Sequence, residues 1–262
     1  MAEWRYNEKS MISFFRKIRF QLAADNQPAS PAGRFFKYSR YAIGEIVLVV
    51  IGILIALQIN NWNEDRKEEL EERKILSNLH DEFNENLTNL KFKDSILQTT
   101  IVNLEVLFEE LRSPETTFNG TSLDSILSRA LNSPTWIPSE YVLNGLESSG
   151  NLTKLRNEHL KKLLFEWARF YSELDETQQM IETTNSQFIG YIKDNGSLRN
   201  VDVQNATFAY EKSLLVDNNE HLLSDPVFEN YIDDKLYVLH NAKIQFKKAE
   251  SIIISILRET QY

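Results

Sequence analysis

The residues that could do chemistry in this chain of 262 residues form none of the spacings that build a catalytic centre. None of the four histidines belongs to an HExxH helix or to a Glu-x-x-His pair, so the sequence predicts neither a zinc site nor a di-iron site. No glycine-rich phosphate loop and no GxSxG turn occurs. Disulfides and thiolate chemistry are excluded because the chain has no cysteine. We therefore predict a protein that is not an enzyme and that uses no metal and no cofactor.

One carboxylate, that of Glu45, lies inside the otherwise almost wholly apolar run 41–63, YAIGEIVLVVIGILIALQINNWN. A charge at that depth of a bilayer is costly, so an acidic residue there is a functional candidate. Gly52 and Ala56 share its helix face and have the small-x-x-x-small spacing that lets two helices approach closely. The alternative is that Glu45 reaches the cytoplasmic interface and that the glycine is incidental. The predicted association seam consists of Glu45, Val49, Gly52, Ala56 and Ile59.

The apolar run itself predicts a membrane anchor, because about 20 apolar residues in a helix cross a bilayer core of ~30 Å. It begins after residue 40, is longer than the apolar region of a cleaved signal peptide, and ends in polar residues and tryptophan where a signal peptide has a small-x-small cleavage site. These differences favour an uncleaved span. The first 40 residues carry eight Lys or Arg against three Asp or Glu, whereas the whole chain has a net charge of −9. The positive-inside rule then predicts a cytoplasmic N-terminus. We expect a bacterial inner-membrane protein with a periplasmic C-terminal domain.

A short basic amphipathic helix is predicted before the span, from Met11 to Leu22. Such a helix would rest on an anionic cytoplasmic leaflet; the alternative is that its charges only set the insertion topology. The acidic balance of the rest of the chain argues against nucleic acid as a partner. The predicted membrane-surface contacts are Phe14, Phe15, Arg16, Lys17 and Arg19.

An all-α fold follows from the absence of strand alternation and from long stretches of helical spacing. Leucine or phenylalanine recurs every seven residues from Phe83 to Leu111, which is typical of the seam of a coiled coil or helical bundle. We predict a single N-terminal transmembrane helix that continues into a long stalk helix and an extracytoplasmic antiparallel helical bundle. The predicted domains are a cytoplasmic basic tail over 1–40, a transmembrane helix over 41–63 and a periplasmic helical bundle over 64–262.

Capping residues and helix breakers place the remaining helices. We predict a helix capped by Thr121, a second capped by Ser139, a long helix over 152–189 that ends at Gly190, and a last helix opened by Asp225 and Pro226.

Two stretches resemble a known family: MISFFRKIR at Met11 and YAIGEIVLVVIGILIALQINNWNE at Tyr41. They are similar to the N-terminal signature of a large family of uncharacterised bacterial single-span membrane proteins, a domain of unknown function. The later segment YVLNGLESSGNLTKLRNEHLKKLL also resembles that family's pattern. In such proteins the chain usually begins near the position of Met11, so the resemblance implies that residues 1–10 are an extension. It implies no activity, cofactor or catalytic residue.

These features favour a structural or scaffolding protein of the cell envelope. We expect a bitopic protein that self-associates through its span and stalk into a homo-oligomer, with the lipid bilayer and an envelope protein as partners. The alternative is a periplasmic sensor or ligand-binding module. Because the predicted cytoplasmic tail holds no output domain, a sensor would act through a separate partner protein.

Overall fold

The computed structural model describes residues 16–17, 31–112, 122–207 and 209–261, and it describes side chains in the first long helix from residue 42 onward. Two compact units divide the chain, Met1–Leu70 and Glu71–Tyr262, and we call the second the C-terminal unit. Helix accounts for 83% of the structure, and no strand occurs in the described ranges. The prediction of an all-α protein is therefore confirmed.

The longest element, α1, runs from Pro31 to Arg112. Proline at its first position is compatible with a helix start, since the missing N–H would have no intrahelical partner there. The other α-helices are α2, Leu123–Ala130; α3, Tyr141–Ser149; α4, Glu158–Asn195; α5, Leu198–Asp202; and α6, Pro226–Glu259. Two short 3₁₀ helices cover Asn151–Lys154 and Glu220–Ser224.

The predicted heptad of α1 forms the centre of the hydrophobic core of the C-terminal unit. Phe83, Leu90, Leu97 and Leu104 are fully or almost fully buried, and Leu111 packs partly buried against the same core. All the residues that cover them come from the same chain. The heptad therefore serves intramolecular packing.

Helix α4 packs beside α1 in a parallel direction. Near the start of the unit, the backbone N–H of Arg156, just before α4, donates to Glu72 of α1 at 2.6 Å. Further along both helices, the rings of Phe83 and Trp167 meet edge to face with centroids 5.3 Å apart. Edge-to-face pairs of this kind stabilise a core in addition to the stabilisation that comes from burying their apolar surface.

Helix α6 runs antiparallel to α1. The C-terminal end of the helix lies near the start of the unit, where Nδ1 of His80 is 3.0 Å from Oγ1 of Thr260. Toward the other end of α1, Lys91 lies 3.9 Å from Glu250.

The same reversal holds between α6 and α4. Glu173 of α4 accepts a hydrogen bond from Lys248 of α6 at 2.8 Å, and farther along the pair Phe188 contacts Phe228 with ring centroids 5.7 Å apart. The three long helices therefore enclose one core, with α6 as the reversed member.

The start of α3 is capped by α1. We predicted that Ser139 caps this helix, but its hydroxyl instead donates to Glu82 at 2.8 Å. Glu82 also accepts from the backbone N–H groups of Val142 and Leu143, at 3.0 and 3.4 Å. The residue at the cap position, Glu140, makes no capping hydrogen bond with its side chain. A buried carboxylate from a distant helix thus satisfies the free donors of the helix end.

Helix α4 starts and ends later than the sequence predicts. Asn157 caps it by accepting from two backbone N–H groups, each at 3.0 Å, while the preceding Asn151–Lys154 forms a 3₁₀ turn. The helix continues through Gly190 to Asn195. A glycine inside a helix costs about 1 kcal/mol relative to alanine, and here the burial of Phe188 and Ile192 on either side offsets it.

The cap of α6 is confirmed as predicted. Asp225 accepts from the backbone N–H of Val227 at 2.8 Å, and Pro226 occupies the first helical position. The hydroxyl of Tyr191 in α4 also donates to Asp225, at 2.5 Å. This bond and the backbone contact lower the pKa of Asp225 below its usual value. The predicted cap at Thr121 lies outside the described residues, and Ser122 caps α2.

One cation is buried in the core. Lys235 of α6 is 1% exposed, and its ammonium donates to Oδ1 of Asn185 and, at 3.2 Å, to the carbonyl of Asn132. Neither of these two acceptors carries a charge. Burial therefore lowers the pKa of Lys235 to about 7.

The buried lysine predicts a pH-dependent stability. Its pKa is lower in the folded state than in the unfolded chain, so the unfolded chain binds more protons between about pH 7 and 10. Stability then rises with pH in that window, by at most about 1.4 kcal/mol per pH unit from this group, and levels off below pH 7. Denaturant titrations of the full chain in mild detergent, repeated across this pH window, give the free energy of unfolding at each pH. The slope of this free energy against pH should be smaller for Lys235→Met than for the wild type. Lys247→Met, at an exposed position, should keep the wild-type slope; equal slopes in all three proteins would contradict this.

The cap that Glu82 of α1 provides for α3 predicts a measurable loss of stability when the carboxylate is removed. Glu82→Ala removes the acceptor for one hydroxyl and two backbone donors, and should lower the free energy of unfolding by about 1–3 kcal/mol. Glu85→Ala, one turn away and exposed, is the matched control and should change it by less than about 0.5 kcal/mol. Thermal unfolding followed by circular dichroism compares the two, and equal losses would show that the cap contributes nothing specific.

Candidate functional site

The largest exposed apolar surface lies on α1 before the C-terminal unit begins. From Ile43 to Ile59 almost every apolar side chain is exposed, and the most apolar window of α1 has no part buried inside the molecule. By length and composition, α1 is the one described helix able to cross a membrane. Water does not stabilise such a surface, which is far larger than the scattered apolar residues of ordinary protein surfaces.

The predicted association seam lies within this surface. Glu45, Val49, Gly52, Ala56 and Ile59 are all exposed on α1, and no other segment of the described ranges lies against them. A methyl group added at Gly52 would meet no atom within 4 Å. The helix backbone is therefore open there to close approach by another helix.

The end of the apolar surface carries polar and aromatic residues typical of a membrane interface. The guanidinium of Arg66 lies over the ring of Trp62 at 5.9 Å, and Asn60 donates to Glu64 at 3.1 Å. A densely charged segment follows over residues 64–73. This change in composition marks where the apolar surface gives way to one suited to water.

Of the predicted membrane-surface residues, Arg16 and Lys17 are helical and exposed. Phe14, Phe15 and Arg19 lie outside the described residues.

Three histidines of the C-terminal unit contact neighbouring residues. His159 lies 3.8 Å from Glu259, His240 lies 3.8 Å from Glu105, and His221 contacts the carbonyl of Asn195 at 2.6 Å. Within the ranges that the structure describes, no group of three or more His, Cys, Asp or Glu residues could hold a metal ion.

Among the described residues, the buried carboxylates of the unit are Glu82 and Asp124, and both accept hydrogen bonds from other segments of the chain. Glu82 caps α3, and Asp124 accepts from the buried Asn219 at 2.6 Å.

The sequence analysis missed a second exposed set on α1, which includes Phe92, Val102 and Val106 in the C-terminal unit. The heptad that we identified accounts for the buried face of this helix. The sequence signal that could have identified this exposed set is a second series of residues on α1, which has alternating steps of four and three and is offset from the first series.

Part of the chain is similar to a known protein family. Residues 45–165 match the family of unknown function DUF6090. The matched region begins at Glu45, includes the rest of α1, and ends early in α4, before α6. No curated protein and no solved structure matches the chain.

The open backbone at Gly52 predicts how the span responds to substitution. If the seam joins two helices, Gly52→Leu separates their backbones and Glu45→Leu removes a polar contact, so each should weaken association about tenfold or more. Gly44→Leu makes the same change at a glycine that also has open space but lies off the seam, and it should leave association unchanged.

The measurement is the mass of each variant in mild detergent, by light scattering coupled to size exclusion, over a range of protein-to-detergent ratios. A Gly52→Leu protein with the wild-type oligomer size would contradict the seam.

Proposed function

We propose that this protein is a non-enzymatic, single-span membrane protein that self-associates through its span and holds an array of helical C-terminal units at the surface of the bacterial inner membrane. Its role is structural or scaffolding. The lipid bilayer and further copies of the chain are its first partners, and an envelope protein that binds the C-terminal units is a further one.

The observation that carries this proposal is the contrast between the two parts of α1. Inside the C-terminal unit, the heptad side chains of α1 lie in the core that the same chain forms. From Ile43 to Ile59, almost every apolar side chain of α1 is exposed, and no other described residue is packed against this stretch. Burying one fully exposed Leu, Ile or Val side chain contributes about 1.5–3 kcal/mol, so more than ten such residues strongly favour a lipid environment.

The orientation rests on charge. Lys and Arg prevail before the span, and the remainder of the chain is acidic, which favours a cytoplasmic N-terminus and a periplasmic C-terminal unit. In this arrangement the C-terminal unit, in which α1 and α4 are parallel and α6 is reversed, lies outside the membrane.

The burial of the α1 heptad supports the span, and not the heptad, as the place of the proposed association. The heptad that we first considered as a stalk seam packs inside its own chain, so it cannot also bind a second copy without opening the core. The span seam has no such intramolecular use. No contact among the described residues favours the sensor alternative, so the scaffold is the function that we propose.

Single cysteines test the topology, because the natural chain contains none. In spheroplasts, a membrane-impermeant maleimide should label Lys162→Cys, at an exposed position of α4, without lysis. Ser10→Cys, in the N-terminal tail, should be labelled only after detergent opens the membrane. The reverse pattern would contradict the orientation, and labelling of both sites only after lysis would contradict an exported C-terminal unit.

A further inference from the structure

A second heptad series runs along α1 inside the C-terminal unit, on the face opposite the core. It occupies steps of four and three over residues 88–106, about 27 Å of helix. Every member is exposed, including Phe92 at 64% and Val102 at 55%. We call this series the outer stripe; its members are Thr88, Phe92, Ser95, Thr99, Val102 and Val106.

The outer stripe carries no charge, and its hydroxyls already have acceptors. Thr88 donates to the carbonyl of Asn84 at 3.0 Å, Ser95 to that of Phe92 at 2.7 Å, and Thr99 to that of Ser95 at 2.9 Å. Hydroxyls bonded to their own helix need no partner from outside. The stripe can therefore be buried without leaving donors unsatisfied.

The exposed face of α4 looks different. A charged residue occurs on it at nearly every turn, as in the exposed series Lys162, Glu166, Arg169, Glu173 and Glu176. An uncharged face of six positions therefore distinguishes α1 from α4. Two helices pair through repeats of this kind when uncharged residues, apolar ones above all, occupy the facing positions.

No segment among the described residues covers the outer stripe. Leu97 and Leu104, on the reverse side of the helix, lie in the core. On one flank α6 contacts Lys91 and Glu105, and on the other Arg129 of α2 donates to Asn103 at 2.9 Å. With core behind it and helices on both flanks, the stripe faces outward.

We infer that the outer stripe is the surface through which the C-terminal units of two copies of this chain pair, with their α1 helices parallel and in register. This inference rests on the proposed function, because two copies inserted the same way in one membrane have α1 helices of the same direction. A contact of about 27 Å is short for a pair of free proteins, but association through the span would hold the two stripes at high effective concentration.

The flanking residues agree with a parallel pair. In that arrangement each flank residue faces the one five positions later in the partner helix. Lys91 then faces Ile96 and Gln98 faces Asn103, so neither pair brings like charges together. Only Glu105 and Glu110 place two carboxylates near each other, at the end of the stripe, where His240 lies 3.8 Å from Glu105.

Disulfide cross-linking of the full chain in native membranes tests the inference. In a parallel pair, Ser95 and Val102 face their counterparts across the two-fold axis, near the Cα separation of about 5.5–6 Å that a disulfide requires. Ser95→Cys and Val102→Cys should therefore form disulfide-linked dimers on mild oxidation. We expect at least tenfold more dimer than for Glu176→Cys, an exposed position of α4 that reports random collisions.

A second variant measures the same contact without a cross-link. Phe92→Glu with Val102→Glu places charges on the stripe, and should lower the oligomer fraction in mild detergent at least fivefold. Both residues are exposed, so the thermal unfolding of the C-terminal unit should stay unchanged. Phe165→Glu makes the same change at an apolar residue of α4 that is also exposed, and should keep the wild-type oligomer.

The outcomes separate this inference from the proposed function. Cross-linking at the control level, with an oligomer that Gly52→Leu still disrupts, would confine association to the span and overturn the outer stripe. A wild-type protein that is monomeric at every detergent ratio would overturn both. Dimers at Ser95→Cys and Val102→Cys, and their absence at Glu176→Cys, support the parallel pair.

Discussion

The C-terminal unit depends on one interaction, the burial of the heptad side chains of α1 by α4 and α6. Phe83 against Trp167 and the leucines that follow form the interior around which the other helices are arranged. Hydrogen bonds then fix the helix ends to one another, as Glu82 does for α3 and Tyr191 does for the start of α6. The same helix also carries the exposed apolar surface over residues 43–59. One part of α1 is therefore buried by its own chain, and another part leaves its apolar side chains exposed.

Much of this fold is predictable from local sequence. The period of seven from Phe83 onward, the pair Asp225 and Pro226, and the absence of glycine and proline in α1 beyond Gly52 each act over a few residues. The errors concern contacts between distant residues. The cap of α3 comes from Glu82, 57 positions before Ser139, and Gly190 stays helical because its neighbours are buried. Neither effect is visible in a window of a single helix.

The exposed apolar surface of the candidate site was predictable from the sequence. The residues through which two copies would pair were only partly predictable. Composition alone identifies the run around Glu45 and Gly52 as unsuited to water. Periodicity cannot decide whether a heptad faces its own chain or a second copy, because both partners supply the same leucines and phenylalanines. For α1 the structure resolves this: one heptad lies in the core, and the outer stripe lies outside it.

The antiparallel return of α6 has a consequence for the order in which the chain becomes structured. His80 and Thr260 are in contact although 180 positions separate them, so a helix synthesised long after α1 completes the core that α1 begins. Until α6 leaves the ribosome, the core around the leucines of α1 lacks the residues that α6 supplies. Contacts of such long range form slowly and leave apolar surface exposed in the interval. We therefore expect the nascent chain to pass through an aggregation-prone stage before α6 packs.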